Sequence, residues 1–210
     1  SSEDVTFSNA IIRGTGGDNA KTPGLGIAAL DVNTSGIKIE GGLIEDNPVV
    51  GFRAYMIDSS MVVNNLTLLN NGGDGFSIPL NDRAGLFWRS SNWGISGPPT
   101  INDLVVRNSS GPGVLMWKGG VRGTNWEITE NGASGLDFRE FHPDVNAILS
   151  MNNTGHGLSI RDSSNVELEY VVTSGNGVGS LSANLGSGFY FDESNDVVSG
   201  GKNVSCYICT

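Results

Sequence analysis

Basic side chains are scarce in this chain. Its 210 residues hold 12 Lys and Arg against 22 Asp and Glu, a formal charge of −10. That balance argues against nucleic acid as the main partner, because neutralising phosphates takes clustered cations. Long apolar runs are missing as well. None approaches the ~20 residues that span a bilayer, so no membrane insertion is expected. Proline stays at 7 residues, too few for a collagen-like or disordered Pro/Gly tract. The two cysteines, Cys206 and Cys209, form one Cys-x-x-Cys with no second pair, and His142 and His156 lie far upstream. A zinc site needs more ligands than that, so both read as terminal-strand cysteines without a role. The chain opens SSEDVTF, already strand-like, with neither an initiating Met nor a signal peptide. We therefore expect a processed chain or a piece of a larger protein. Asn-x-Ser/Thr sequons at Asn33, Asn65, Asn108, Asn152 and Asn203 read as chance in Asn- and Ser-rich sequence.

Glycine, by contrast, is abundant, 31 residues, and much of it recurs in one setting. An apolar strand follows Gly26, Gly51, Gly75, Gly113, Gly135, Gly157 and Gly188, at spacings of 25, 24, 38, 22, 22 and 31. Asn47, Asn71, Asn131 and Asn153 each precede their glycine by four positions, and Asn108 by five. A second strand precedes each Asn, as in VVNNLTLL, NWEIT and NVELEYVV. A unit of 22–25 residues with short strands and no helical period predicts one turn of a parallel β-solenoid. A single coil cannot bury its apolar side chains, whereas stacked coils bury a continuous column. Asn tolerates left-handed backbone and can ladder along the axis, and Gly supplies φ values that other residues adopt only at a cost.

The Asn-x-x-x-Gly-Φ-x-Φ units resemble those of the right-handed parallel β-helix in the pectin-lyase-like superfamily. The resemblance covers nearly the whole chain and implies an all-β solenoid of about eight coils. That makes one domain over residues 1–210, with insertions at 81–99 and 175–187. Both ends read as uncapped, which predicts end-to-end contacts or a homo-oligomer. The superfamily holds polysaccharide lyases and hydrolases as well as tailspikes and non-catalytic adhesins, so the implied partner is a glycan. The implied setting is secreted, or the surface of a cell or virion.

Alternation along each strand gives a candidate face. The residue after each glycine points inward (Ile27, Phe52, Phe76, Val114, Leu136, Leu158, Phe189) and the next outward (Ala28, Arg53, Ser77, Leu115, Asp137, Ser159, Tyr190). Two further on, again outward, stand Leu30, Tyr55, Pro79, Trp117, Arg139, Arg161 and Asp192. Later coils thus gather ionisable groups. Asp137, Arg139, Arg161 and Asp192 are the candidate catalytic residues. Trp117, Lys118, Tyr190 and Glu193 are candidates for substrate binding. The insertion NDRAGLFWRSSNWGISGPP adds Trp88, Arg89 and Trp93, an apolar platform beside a cation that would suit a sugar ring.

TGHGLSI resembles the Gly-His-Gly motif of polygalacturonases, but their Asn-Thr-Asp and Asp-Asp elements are absent, which argues against that activity. His156 fills a turn slot held by Asp74, Pro112 and Ser134 in other coils, and reads as decoration. Glu140, His142 and Asp144 alternate in EFHPD, a spacing that can gather a divalent cation but is common by chance. No metal ligand is assigned and no cofactor is expected. A lyase-type Ca2+ site would need Asp137, Asp162 and Asp192 to converge. The function expected is binding and degradation of an acidic polysaccharide, by lyase or glycoside hydrolase chemistry. The alternative is a non-catalytic segment of a tailspike or surface appendage.

Overall fold

The computed structural model describes residues 5–14, 28–32, 36–48, 50–55, 61–72, 83–89, 98–177, 188–192, 197–199 and 205–207. These residues hold fourteen strands, and every pairing between them is parallel. Among the described residues no helix is long and apolar enough to cross a membrane.

The coil is clearest where strands run on without interruption. Strands β8 (Val114–Thr129) and β9 (Leu136–Met151) are each a nearly complete turn, paired from Val114↔Leu136 through Thr129↔Met151. Each turn has three legs, here 114–117, 119–124 and 126–129, separated by corners where the backbone swings to positive φ. Lys118, Asn125 and Glu130 mark the corners in β8, and Glu140, Ala147 and Asn152 mark those of the following turn. In other coils the first leg is supplied by β2 (Ala28–Val32), β4 (Val50–Tyr55), β6 (Leu86–Arg89), β10 (Leu158–Arg161) and β12 (Phe189–Asp192). The second and third legs come from β1 (Val5–Arg13), β3 (Ile37–Glu45), β5 (Val62–Leu69), β7 (Thr100–Arg107) and β11 (Val166–Ser174). Beyond them, β13 (Val197–Ser199) and β14 (Ser205–Tyr207) pair with the two halves of β11. Eight layers of second and third legs agree with the expected eight coils.

Inward side chains stack into files within one core. Phe52, Leu86, Val114, Leu136 and Leu158 form one file, and Ala54, Trp88, Met116, Phe138 and Ile160 a second. All ten are fully buried. Volume is exchanged between layers: Trp88 sits over the small Ala54, and the indole of Trp126 packs beside Gly123, donating Nε1–H to Ile101 O at 2.9 Å. Burial of each such side chain contributes about 1.5–3 kcal/mol, so the files dominate cohesion along the axis.

The third corner is wired by side-chain amides. Asn47 donates to Asn71 at 2.8 Å, Asn131 to Asn153 at 2.9 Å and Asn153 to Asn176 at 2.9 Å, all buried. The glycines are explained by the same ladder. A Cβ at Gly113 would lie 2.7 Å from Asn131 Nδ2, and one at Gly135 would lie 2.7 Å from Asn153 Nδ2.

The structure corrects the expected register in two places. The glycine in line with Gly51 and Gly113 is Gly85, not Gly75: Phe52 N–H donates to Gly85 O, and Leu86 N–H to Gly113 O. Strand β6 therefore lies inside what reads from sequence as an 81–99 insertion. Both segments carry Gly-Φ-x-Φ, but Gly75 is followed by Pro79, which has no N–H to donate in a leg flanked on both sides. Gly75, Phe76, Ser77 and Pro79 fall outside the described residues. In the first coil, Leu30 pairs with Phe52 and packs on the core; the sequence reading placed it outward. Most of the expected insertions, with Gly26, Ile27, Asn33, Asp74 and Cys209, also lies outside the described residues.

Candidate active site

Outward side chains of the first leg form two columns. One runs Arg53, Phe87, Leu115, Asp137, Ser159, Tyr190, and the other Tyr55, Arg89, Trp117, Arg139, Arg161. The first column is not a flat solvated surface. Phe87, Leu115, Asp137 and Ser159 are buried. Residues preceding each glycine pack alongside, so that Val50 and Ala84 join Phe87 and Leu115 in a small apolar cluster edged by Tyr55. Two layers further along, the same slots turn polar and hold Ser134 and His156 over Asp137, Ser159 and Tyr190.

Asp137 is the centre of this polar stretch. It is only 2% exposed. Its Oδ2 accepts from Arg139 Nη2 at 2.6 Å and from Arg161 Nη2 at 2.9 Å, while Oδ1 is buried without a partner. Arg161 also donates to Ser159 Oγ at 3.2 Å. The two ion pairs to one oxygen fix both guanidiniums at the surface of the face, where they stay partly exposed. His156 stacks on Tyr190 with ring centroids 4.7 Å apart and planes 16° from parallel. Burial pushes the imidazole below its ordinary range, Arg161 pushes it further, and Asp137 partly opposes them. His156 is therefore neutral at neutral pH, an acceptor of protons beside a phenol and two fixed cations.

Towards the N-terminal coils the second column alternates cations with rings. The Arg89 guanidinium lies 4.6 Å from the Trp117 ring centroid and Arg53 lies 5.1 Å from that of Tyr55. Trp117 Nε1 donates to Glu140 at 3.1 Å, and Lys118 pairs with the same carboxylate at 3.2 Å. The Trp117 hydrogen bond, with Lys118 and Arg89 nearby, holds Glu140 below the usual carboxylate range.

Of the residues expected from sequence, Asp137, Arg139 and Arg161 converge, and Tyr190, Arg89, Trp117 and Lys118 lie along the same face. Asp192 pairs with Arg161 in register; its side chain, with Trp93 and Glu193, is outside the described residues. Trp88 is a correction. It is an inward residue of β6 with no exposed surface, so it offers no platform to a sugar. Glu140, His142 and Asp144 do not converge either. They bond to Trp117, to Ser164 O and to Arg122 respectively. Among the described residues no three His, Cys, Asp or Glu side chains gather as metal ligands. Two residues that the sequence analysis left out of the candidate site, His156 and Ser159, lie beside Asp137 and Arg161. Ser159 looked unremarkable among outward residues, but its burial beside Arg161 makes it part of the cluster. The signal for His156 was its place immediately before a coil glycine, which puts the ring over the outward column.

No family model matches the sequence, and no curated protein matches it. Solved structures do. The A-module of the Azotobacter vinelandii mannuronan C-5 epimerase AlgE4 superposes with a TM-score of 0.62 at 15% identity, covering 96% of this chain and 58% of that one. The fold is a right-handed parallel β-helix. The enzymatically active domain of bacteriophage CBA120 tailspike protein 2 is also similar, with a TM-score of 0.40 at 12% identity, over 93% of this chain and 38% of that one. The chain thus spans little more than half the length of the epimerase module.

Proposed function

We propose that the protein acts on an anionic polysaccharide, and that the Asp137 cluster removes the proton on the carbon bearing a uronate carboxylate. The observation that carries this reading is the convergence of a neutral His156, a stacked Tyr190 and two guanidiniums pinned by one buried carboxylate. Arg139 and Arg161 neutralise the substrate carboxylate as charge spreads onto it. His156 accepts the proton, its lowered basicity keeping it unprotonated at neutral pH. The electron pair of the broken C–H bond forms a C=C bond, the glycosidic C–O bond breaks, and the Tyr190 phenol protonates the departing oxygen. Asp137 acts as a positioning residue, because its oxygen is committed to both arginines. Inverting hydrolysis is the weaker reading. It needs two carboxylates roughly 6.5–9.5 Å apart with water between them. Among the described residues Asp137 is the one carboxylate in its column, and Glu140 is tied to Trp117 and Lys118.

The test is incubation with polyuronates in deuterated water, with mannuronan first since it shares the fold neighbour's named chemistry. Elimination gives an unsaturated uronate absorbing in the ultraviolet. His156→Gln and Tyr190→Phe should each lower the rate by about 10²–10⁴-fold with the folded state intact. Deuterium at the acidic carbon without new absorbance would keep the proton abstraction and replace elimination by reprotonation. New reducing ends with neither signal, or no reaction with any polyuronate, would overturn the proposal.

A further inference from the structure

The third leg carries a separate feature, apart from the first-leg columns. Its outward column runs Leu43, Thr67, Val105, Glu127, Leu149, Val172. Between this column and the second corner lies an open groove of about 430 Å³, within the size range of small-molecule sites. Its floor is apolar, made by Val105, Leu149 and Val172, and its wall includes Asp103 and Asn125, joined by an amide-to-carboxylate hydrogen bond of 2.9 Å. The groove passes four coil steps, from Asn65 to Tyr170, or roughly 19 Å at the usual strand spacing.

The corner column beside the groove explains its shape. In register stand Asn9, Gly41, Asn65, Asp103, Asn125, Ala147 and Tyr170, all at positive φ. Gly, Asn and Asp take this geometry at low cost; Ala and Tyr do not. Tyr170 nonetheless holds φ 51° while remaining 44% exposed, so core burial does not offset its strain. One coil earlier Ala147 is the smallest side chain of the column after glycine, and both residues line the groove. A corner tyrosine that keeps an aromatic face in solvent beside an apolar floor has the make-up of a ligand platform.

We propose that this groove binds a neutral oligosaccharide lying along the solenoid axis, with one sugar ring stacked on Tyr170 over Ala147. Charge selects the class. No Lys, Arg or His lines the groove; Asp103 stands on it bonded to Asn125, and Glu127 is ion-paired with Arg107 at 2.7 Å, a lining that offers a polyanion little attraction. This is the reverse of the Asp137 face, where Arg89, Lys118, Arg139 and Arg161 collect. Neutral sugars suit such a surface, since their hydroxyls can donate to carboxylate and amide oxygens while their C–H faces lie on the apolar floor. An added peptide strand fits poorly, because this is a sheet face whose backbone groups are already bonded coil to coil.

The experiment titrates the intact chain with hexasaccharides of glucose, mannose or galactose, alongside an oligouronate control, with binding read by NMR chemical shifts and oligomeric state by sedimentation. At least one neutral hexasaccharide should bind. Tyr170→Ala should weaken it roughly tenfold by removing the stacked ring. Two further variants separate binding from folding. Tyr170→Asn and Ala147→Asn place at the corner a residue that accepts its geometry, so both should unfold at or above the parent temperature and still lose binding. Failure of every neutral hexasaccharide to bind, preference for the oligouronate at Tyr170, or a dimer that Tyr170→Ala dissociates would each overturn the proposal.

Discussion

At the scale of single residues, His156 is the most consequential side chain. Because its folded-state basicity is depressed by burial and by Arg161, the native protein binds fewer protons at this site than the unfolded chain does. Its contribution is therefore complete above the ordinary histidine value of about 6.5 and is lost as pH falls from there toward the depressed value. Melting temperatures measured across mildly acidic pH should decline over that window in the parent. The decline should be smaller in His156→Gln. The residues of this cluster were unequally legible in the sequence. Asp137, Arg139 and Arg161 could be found because coils of 22 residues repeat without interruption there, so counting from the glycine gives the correct face. Trp88 could not, because its strand lies next to an insertion. There the motif count favoured Gly75 over Gly85, and an inward tryptophan read as a loop tryptophan. His156 precedes its strand, where alternation gives no orientation.

At the scale of elements, the third-corner ladder has one weak rung. The Asn slot between Asn71 and Asn131 is occupied by Ser109, whose main-chain N–H donates to Asn131 Oδ1 at 2.9 Å but whose Oγ is buried without a partner. The sequence offers Asn108 at this point, but Asn108 sits one residue early and takes the positive-φ corner, as Asn70 and Asn152 do. The offset of five is thus the visible trace of a missing rung. Ser109→Asn would supply the absent amide against Gly85, a residue without a Cβ to obstruct it. We expect a gain of about 1 kcal/mol, which at this size is a rise of roughly 2–4 °C in Tm measured by calorimetry. The ladder also explains why the glycine pattern was so readable: the same amides that link coils occupy the space where a Cβ would stand.

At the scale of the whole molecule, each coil touches chiefly its two neighbours, so stability is a sum of nearest-neighbour interfaces along one continuous axial core. Turns Val114–Thr129 and Leu136–Met151 are flanked on both sides, with unbroken pairing and Asn131–Asn153–Asn176 bonding. The strand Val5–Arg13 pairs with only one other described second- and third-leg strand, and Val5 and Ile11 are 44% and 67% exposed. Hydrogen exchange should rank these regions in that order, with the outer strand exchanging first. Leu136→Ala should cost about 2–5 kcal/mol and accelerate exchange mainly in the turns stacked next to it.

The uninterrupted 22-residue interval from Gly113 through Gly135 to Gly157 also bears on how such a chain can change. Excising or duplicating one whole interval would restore every rung of the ladder and every inward file, because each layer presents to the next the same edge that it receives. A loss of any other length would turn the remaining faces out of step. Descent with altered length is therefore cheap for this architecture in whole-layer increments, and each such increment keeps the Arg-lined flank and the Tyr170 flank in step from layer to layer.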